Sequence, residues 1–221
     1  MKKIMLIGLV LLVVVLASGC ASYTVQNVPS QIDESKVVKA GDNDISITAL
    51  PILTEEYSKK YFDYDLVAKN VLSVYLVIVN HSQSAIQFVS SQVDSGNGKM
   101  IEPFPQKDVY KLIRREYAGK ATLWMFPTYF VGIPFSIAHT AGLNTKIEED
   151  INKKHLNFGE IKPREFQQGF TWFKLPDDVV LEEIKGKTIV LKMMFKKDGK
   201  SIKLHSTSYC TTQHFVRCSI I

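Results

Sequence analysis

Apolar and polar residues alternate with a period of two along much of this chain, and that rhythm predicts strands. Ile45, Ile47 and Ala49 alternate with polar positions until Pro51 ends the run. The clearest case is Val71–Val79. Leu72, Val74, Leu76 and Ile78 line one face of it, and Val71, Ser73, Tyr75, Val77 and Val79 line the other. Apolar on both faces and rich in β-branched residues, it reads as a central strand. Asn80-His81-Ser82-Gln83-Ser84 makes a turn and Ala85–Val93 returns. Asp94-Ser95-Gly96-Asn97-Gly98-Lys99 turns again before Met100-Ile101. Further along, Phe166–Leu175 places Phe166, Phe170 and Trp172 on one face, and Thr188–Phe195 turns Ile189, Leu191, Met193 and Phe195 inward. Asp198-Gly199, between Lys197 and Lys200, is the strongest hairpin signal in the chain, with Ser201–Tyr209 as the partner strand.

Between Pro105 and Gly159 the period changes. Val109, Leu112, Ile113 and Tyr117 fall at helical spacing, with Lys107, Lys111, Arg114 and Arg115 on the other side. Leu143, Ile147 and Ile151 repeat the stripe on a second helix, beside exposed Glu148, Glu149 and Asp150. Residues 121–145 contain no Asp, Glu, Lys or Arg, and include Trp124, Met125, Phe126, Tyr129, Phe130, Val131, Ile133, Phe135 and Ile137. That run is long enough to span a bilayer, but Pro127, Gly132, Pro134 and Gly142 are expected to break a continuous helix. Two readings stay open: a hydrophobic hairpin folded on a sheet, or a surface that meets the bilayer interface or a membrane partner. The contact residues for the second would be Trp124, Phe126, Tyr129, Phe130 and Phe135. About seven or eight strands with short turns predict a mainly β protein, an antiparallel sandwich of immunoglobulin type with an inserted α-helical segment.

The amino terminus follows a third pattern. Met1-Lys2-Lys3 precedes an apolar run, Ile4–Ala17, which leads into Leu16-Ala17-Ser18-Gly19-Cys20. A basic start, a run shorter than the roughly 20 residues of a membrane span and small residues before a cleavage point make a secretory signal. The cysteine after Ala-Ser-Gly resembles the lipobox of bacterial lipoprotein precursors, with Ala17 in place of the usual leucine. The resemblance implies cleavage between Gly19 and Cys20, a diacylglycerol on the Cys20 sulfur and acylation of the new amino terminus. Ala21, where an Asp would favour retention, implies transport to the outer membrane in a diderm bacterium, or the outer face of the plasma membrane otherwise. The stretch Val71–Ile101 is also similar to the core hairpin of many bacterial lipoproteins with such a domain. The expected organisation is a signal peptide at 1–19, a lipidated tether at 20–42, a sandwich at 43–104 and 159–221, and a hydrophobic helical insertion at 105–158.

Removal of the leader leaves 202 residues, and of 27 Lys and Arg two lie in the leader, so 25 against 22 Asp and Glu gives +3. That excess is too small and dispersed to indicate nucleic acid. With Cys20 acylated, Cys210 and Cys218 remain, and in an oxidising compartment they make one obvious disulfide. Free thiols, or a metal held with His205 and His214, are the alternatives.

No catalytic motif occurs: no G-x-S-x-G, no phosphate-cradling G-x-x-x-x-G-K-[ST], no H-E-x-x-H and no C-x-x-C. His81, His139, His155, His205 and His214 are scattered, and the pairs Glu55-Glu56, Asp177-Asp178 and Glu182-Glu183 are merely adjacent. Tyr57, Tyr61, Phe62 and Tyr64 cluster with Lys59 and Lys60, a set suited to packing beneath a loop or to stacking on a sugar or base. Asn80-His81-Ser82 matches a glycosylation acceptor in letters only. These observations point to a membrane-anchored envelope lipoprotein that acts as a non-enzymatic interaction or structural module, without a cofactor. Its partners would be membrane lipid, through Cys20, and an envelope membrane protein. A module binding a small ligand or glycan is the second reading, and a hydrolase with a dispersed site the third.

Overall fold

The computed structural model describes residues 23–24, 27–28, 38–41, 44–94, 99–123, 132–179, 181, 188–209 and 216–219; within these the side chains of 38–41, 115–123, 132–141, 188–189, 205–209 and 216–219 are not described. The described strands are β1 (Val38–Gly41), β2 (Ile45–Ile52), β3 (Val71–Asn80), β4 (Ile86–Asp94), β5 (Met100–Ile101), β6 (Glu160–Ile161), β7 (Phe166–Lys174), β8 (Thr188–Lys197), β9 (Lys200–Tyr209) and β10 (Val216–Ser219). The helices are α1 (Glu55–Phe62), α2 (Gln106–Leu123) and α3 (Gly132–Lys154). The chain divides into two compact units, Met1–Val25 with Tyr110–Asp150 and Gln26–Val109 with Ile151–Ile221.

The second unit is an antiparallel sandwich. One sheet has the order β1-β2-β3-β7; the other runs β10-β9-β8-β4-β5, with β6 also paired to β4. The run β2-β3-β7 matches the A-B-E order of an immunoglobulin domain, and β9-β8-β4 matches G-F-C. The fold is therefore a mainly β, immunoglobulin-type sandwich. Between β5 and β7, where a fourth strand would flank β7, the chain instead makes α2 and α3.

Apolar alternation builds the core between the sheets. Ile45, Ile47, Leu72, Val74, Leu76, Ile78 and Phe173 meet Ile86, Phe88, Val93, Leu191, Met193, Phe195 and Leu204 in one buried cluster. At the β8–β9 hairpin both turn residues have positive φ, Asp198 at 50° and Gly199 at 76°. That is the backbone an Asp-Gly type I′ turn supplies.

Each end of β3 carries an asparagine whose amide joins loops distant in sequence. Asn80 is fully buried. Its two Nδ2 hydrogens are shared among the carbonyls of Ser84, Ile161 and Lys162, and its Oδ1 accepts from the Ser82 amide and hydroxyl. A glycan has no access to that nitrogen. At the other end Asn70, at φ 58°, donates to Pro176 O and Val179 O and accepts from Leu181 N. A side-chain amide offers two donors and an acceptor, so one residue can satisfy several strand-end groups that would otherwise be buried unpaired.

Both connections to the helical excursion attach to the outer edge of β7. Phe104 N donates to Trp172 O at 2.6 Å, and Leu156 N donates to Phe170 O at 2.9 Å. The His155–Leu156 backbone passes so near β7 that a Cβ on Gly169 would lie 2.6 Å from Leu156 N and 2.9 Å from His155 C. Only glycine fits there without a backbone shift. These two segments cover an edge that would otherwise present unpaired amides.

Two outcomes follow from this arrangement. Asn80→Ala is expected to lower the unfolding free energy of the protein by about 2–4 kcal/mol, because it leaves several buried strand-end groups without partners. Gly169→Ala is expected to lower it by about 1–3 kcal/mol through overpacking against Leu156. Urea denaturation followed by circular dichroism measures both; wild-type midpoints in either variant contradict the assignment.

Candidate functional site

The outer face of the β1-β2-β3-β7 sheet carries a second, aromatic core, and this is where the helical excursion joins the sandwich. The β3–β7 register sets Tyr75 opposite Phe170 and Ser73 opposite Trp172, so these side chains share one face. Phe170 meets Tyr75 with ring centroids 5.0 Å apart, Phe62 edge-on at 4.9 Å and Tyr61 at 5.7 Å. Phe62 also meets Trp172 edge-on at 6.2 Å. Offset and edge-on pairs at these separations contribute beyond their buried area.

Helix α1 supplies Tyr61 and Phe62. Its start is capped by Thr54, whose Oγ1 accepts from Tyr57 N, with Glu55 and Glu56 in the first turn. Lys59 and Lys60 lie in the last turn, as the helix dipole favours. Glu55 pairs with Lys59 one turn on. Asp63 closes the helix at φ 51°, its N–H donating to Lys59 O. Ser58, fully buried, donates to Tyr64 O and accepts from Leu66 N, holding the following turn beneath the helix. Tyr61, Phe62 and Tyr64 are all buried, so the aromatic cluster seen in the sequence packs as core.

The end of α3 closes over this face. Lys154 is only 2% exposed; its Nζ donates to Tyr61 O and sits 5.7 Å from the centre of the Phe62 ring. An ammonium on a carbonyl of the last turn of α1 suits the negative end of that helix. His155 then stacks on Trp172 at 5.6 Å and 13° between planes. His155 Nδ1 and Trp172 Nε1 are buried without a hydrogen-bond partner among the described residues. Desolvation pushes the His155 imidazole below its ordinary value, with a smaller opposing pull from the Phe170 backbone. Burial, with Tyr61 adding, raises that of the Tyr75 phenol, which donates to Gln168 Oε1.

This arrangement packs the residues that follow Asp150 onto the sheet; among the described residues it offers no nucleophile paired with a base. Among the described residues no group of three or more His, Cys, Asp or Glu is placed to hold a metal. His81 Nε2 lies 2.8 Å from Ser46 Oγ at an exposed turn. Gly19, Cys20, Trp124, Phe126, Tyr129, Phe130, Cys210 and His214 lie outside the described residues. Phe135 and His139 belong to α3, His205 to β9 and Cys218 to β10, with side chains not described; the strand register sets Cys218 opposite Ser206.

The helical unit departs from expectation at two points. Asp150, expected exposed beside Glu148 and Glu149, is only 3% exposed. Gly142 does not interrupt α3, which begins at Gly132 and runs through it to Lys154. Pro134 sits in the first turn, where its missing N–H has no helical partner to lose, and one internal glycine costs only about 1 kcal/mol. Leu143, Ile147 and Ile151 are buried along this helix. No helix among the described residues is long and apolar enough to cross a membrane. Within the segment 20–42, where a tether with one edge strand near Val37-Val38 is expected, Val38–Gly41 forms β1 on the edge of β2, while Tyr23 is buried and donates from its hydroxyl to Asp150 Oδ2.

No family model matches the chain, and neither does any curated protein sequence. Among solved structures, a crystal structure of the GAE domain of yeast GGA1 aligns with a TM-score of 0.37 and 10% identity, over 80% of this chain and 98% of that one.

The desolvated His155 gives a pH prediction. With its folded value below 6.5, the unfolded chain takes up the proton first as pH falls. The contribution is present in full above pH 6.5 and is lost as pH falls through the folded value. The melting temperature of the mature chain is therefore expected to drop between pH 7 and pH 5, and His155→Phe to flatten that drop. An unchanged slope in the variant contradicts the assignment.

Proposed function

We propose that this chain is an envelope lipoprotein whose immunoglobulin-type domain is held at a membrane by acyl chains on Cys20 and acts as a non-catalytic interaction module. The observation that carries the proposal is the succession of Lys2-Lys3, the apolar run and Leu16-Ala17-Ser18-Gly19-Cys20. Each acyl CH₂ buried in lipid contributes about 0.8 kcal/mol, and two or more chains make detachment rare. Confinement to a surface then raises the effective concentration of the domain for partners in the same membrane. The lipobox with Ala21 after the cysteine supports an outer-membrane destination facing the periplasm.

The use of the described side chains supports the non-catalytic part. The side-chain amides of half-buried Asn70 and buried Asn80 tie loops at the ends of β3, the Ser58 hydroxyl ties a turn, and the aromatic residues fill two cores. The partner is an envelope membrane protein in this reading. In an exported chain Cys210 and Cys218 are expected to be oxidised together.

Mass spectrometry of the protein purified from membranes tests the anchor. The amino-terminal peptide is expected to begin at Cys20 and to carry a diacylglycerol with one further acyl chain. Cys20→Ser is expected to move the protein from the membrane fraction to the soluble or uncleaved precursor fraction. An unmodified Cys20, or a variant that sediments with membranes as a cleaved product, refutes the proposal.

A further inference from the structure

We propose that the unit containing Tyr110–Asp150 lies directly on a phospholipid surface, held there by the Tyr23–Asp150 hydrogen bond. The proposal rests on the acylation of Cys20 argued above, and it replaces a long flexible spacer with a short, fixed one. Tyr23 is 6% exposed and Asp150 3% exposed, and the phenol oxygen lies 2.5 Å from Asp150 Oδ2 although the residues are 127 apart in sequence. Both belong to the same compact unit.

Chain reach decides the matter. Three peptide steps separate Tyr23 from Cys20, so their Cα atoms are at most about 11 Å apart. The polar layer on each side of a bilayer is itself about 5–8 Å thick. A cysteine whose acyl chains are in the hydrocarbon therefore brings Tyr23, and with it the part of α3 around Asp150, to the headgroups. A free tether of about 20 residues would instead allow an r.m.s. separation of about 25 Å.

The composition of this unit suits that position. It contains residues 121–145, without one charged side chain. Among the described residues of the same unit, Lys111, Arg114 and Lys146 are exposed against Glu148 and Glu149, an excess of one positive charge toward lipid phosphates. The link is to the anchor itself, so the occupant of this surface is lipid, with a protein partner as the competing outcome.

The test uses the full acylated protein with a fluorescent amino acid at position 149, an exposed helical site next to Asp150. The protein is placed in vesicles of phosphatidylethanolamine and phosphatidylglycerol that carry a nitroxide on the headgroup. Quenching by about half or more is expected. A variant with a 20-residue Gly-Ser segment inserted between Ser22 and Tyr23 keeps the Tyr23–Asp150 bond but lengthens the link, and its quenching is expected to fall severalfold. Acylated protein that shows no quenching, or an insertion that leaves quenching unchanged, overturns the proposal while the anchor stands. Quenching confined to native membranes and missing in protein-free vesicles assigns the surface to a protein partner and also overturns it. Absence of acyl groups on Cys20 by mass overturns both readings together.

Discussion

A strand buried on both faces governs this molecule. Leu72, Val74, Leu76 and Ile78 of β3 face the opposing sheet, while Val71, Ser73 and Tyr75 face the aromatic layer under α1 and the end of α3. Such a strand must satisfy every backbone group within its own sheet, because neither face offers water. Its pairing with β2 and β7 does so along its length, and at the ends the Asn80 N–H donates to Glu165 O, the Asn80 carbonyl accepts from Arg164 N, and the Asn70 carbonyl accepts from Leu175 N.

The helical excursion depends on that strand through β7. β7 is paired with β3 on one side and receives Phe104 and Leu156 on the other, so both stems of the excursion are registered by one strand. Glycine at 169 lets the Leu156 backbone approach, and Lys154 and His155 complete the closure over Phe62 and Trp172. Gln106 also donates to Asn152, joining the two stems directly. An immunoglobulin domain would use a fourth strand at this edge. Here two loop segments do the same hydrogen-bonding work and leave the intervening residues free to form helices.

Much of the fold was legible because burial and period coincide. Val71–Asn80 is apolar on both faces and proved to be the doubly covered strand, and Asp198-Gly199 adopts the two positive φ values its composition favours. The Leu143, Ile147, Ile151 stripe is buried. Helix α1 was missed because its tyrosines dominated the reading of Tyr57–Tyr64. The signals were there in Thr54, the acidic first turn and the basic last turn. Phe166 shares a face with Phe170 and Trp172 but is 60% exposed, since it lies at the strand end beyond the reach of α1. The approach of Leu156 to Gly169 and the bond from Tyr23 to Asp150 join residues far apart in sequence. No local pattern encodes them. For function, the proposed leader is the one feature open to a linear reading, whereas an interaction surface is assembled only in three dimensions.

What unites these features is that polar side chains here tie strand ends and stems, and the aromatic residues fill cores. Native-state hydrogen exchange on the protein tests the central claim most directly. The account predicts that amides of Leu72–Ile78 in β3, with their partners in β7, exchange only through global unfolding, at the same free energy as denaturant melting reports. Amides of β3 that exchange through a local opening, ahead of those in β8 and β9, would contradict it.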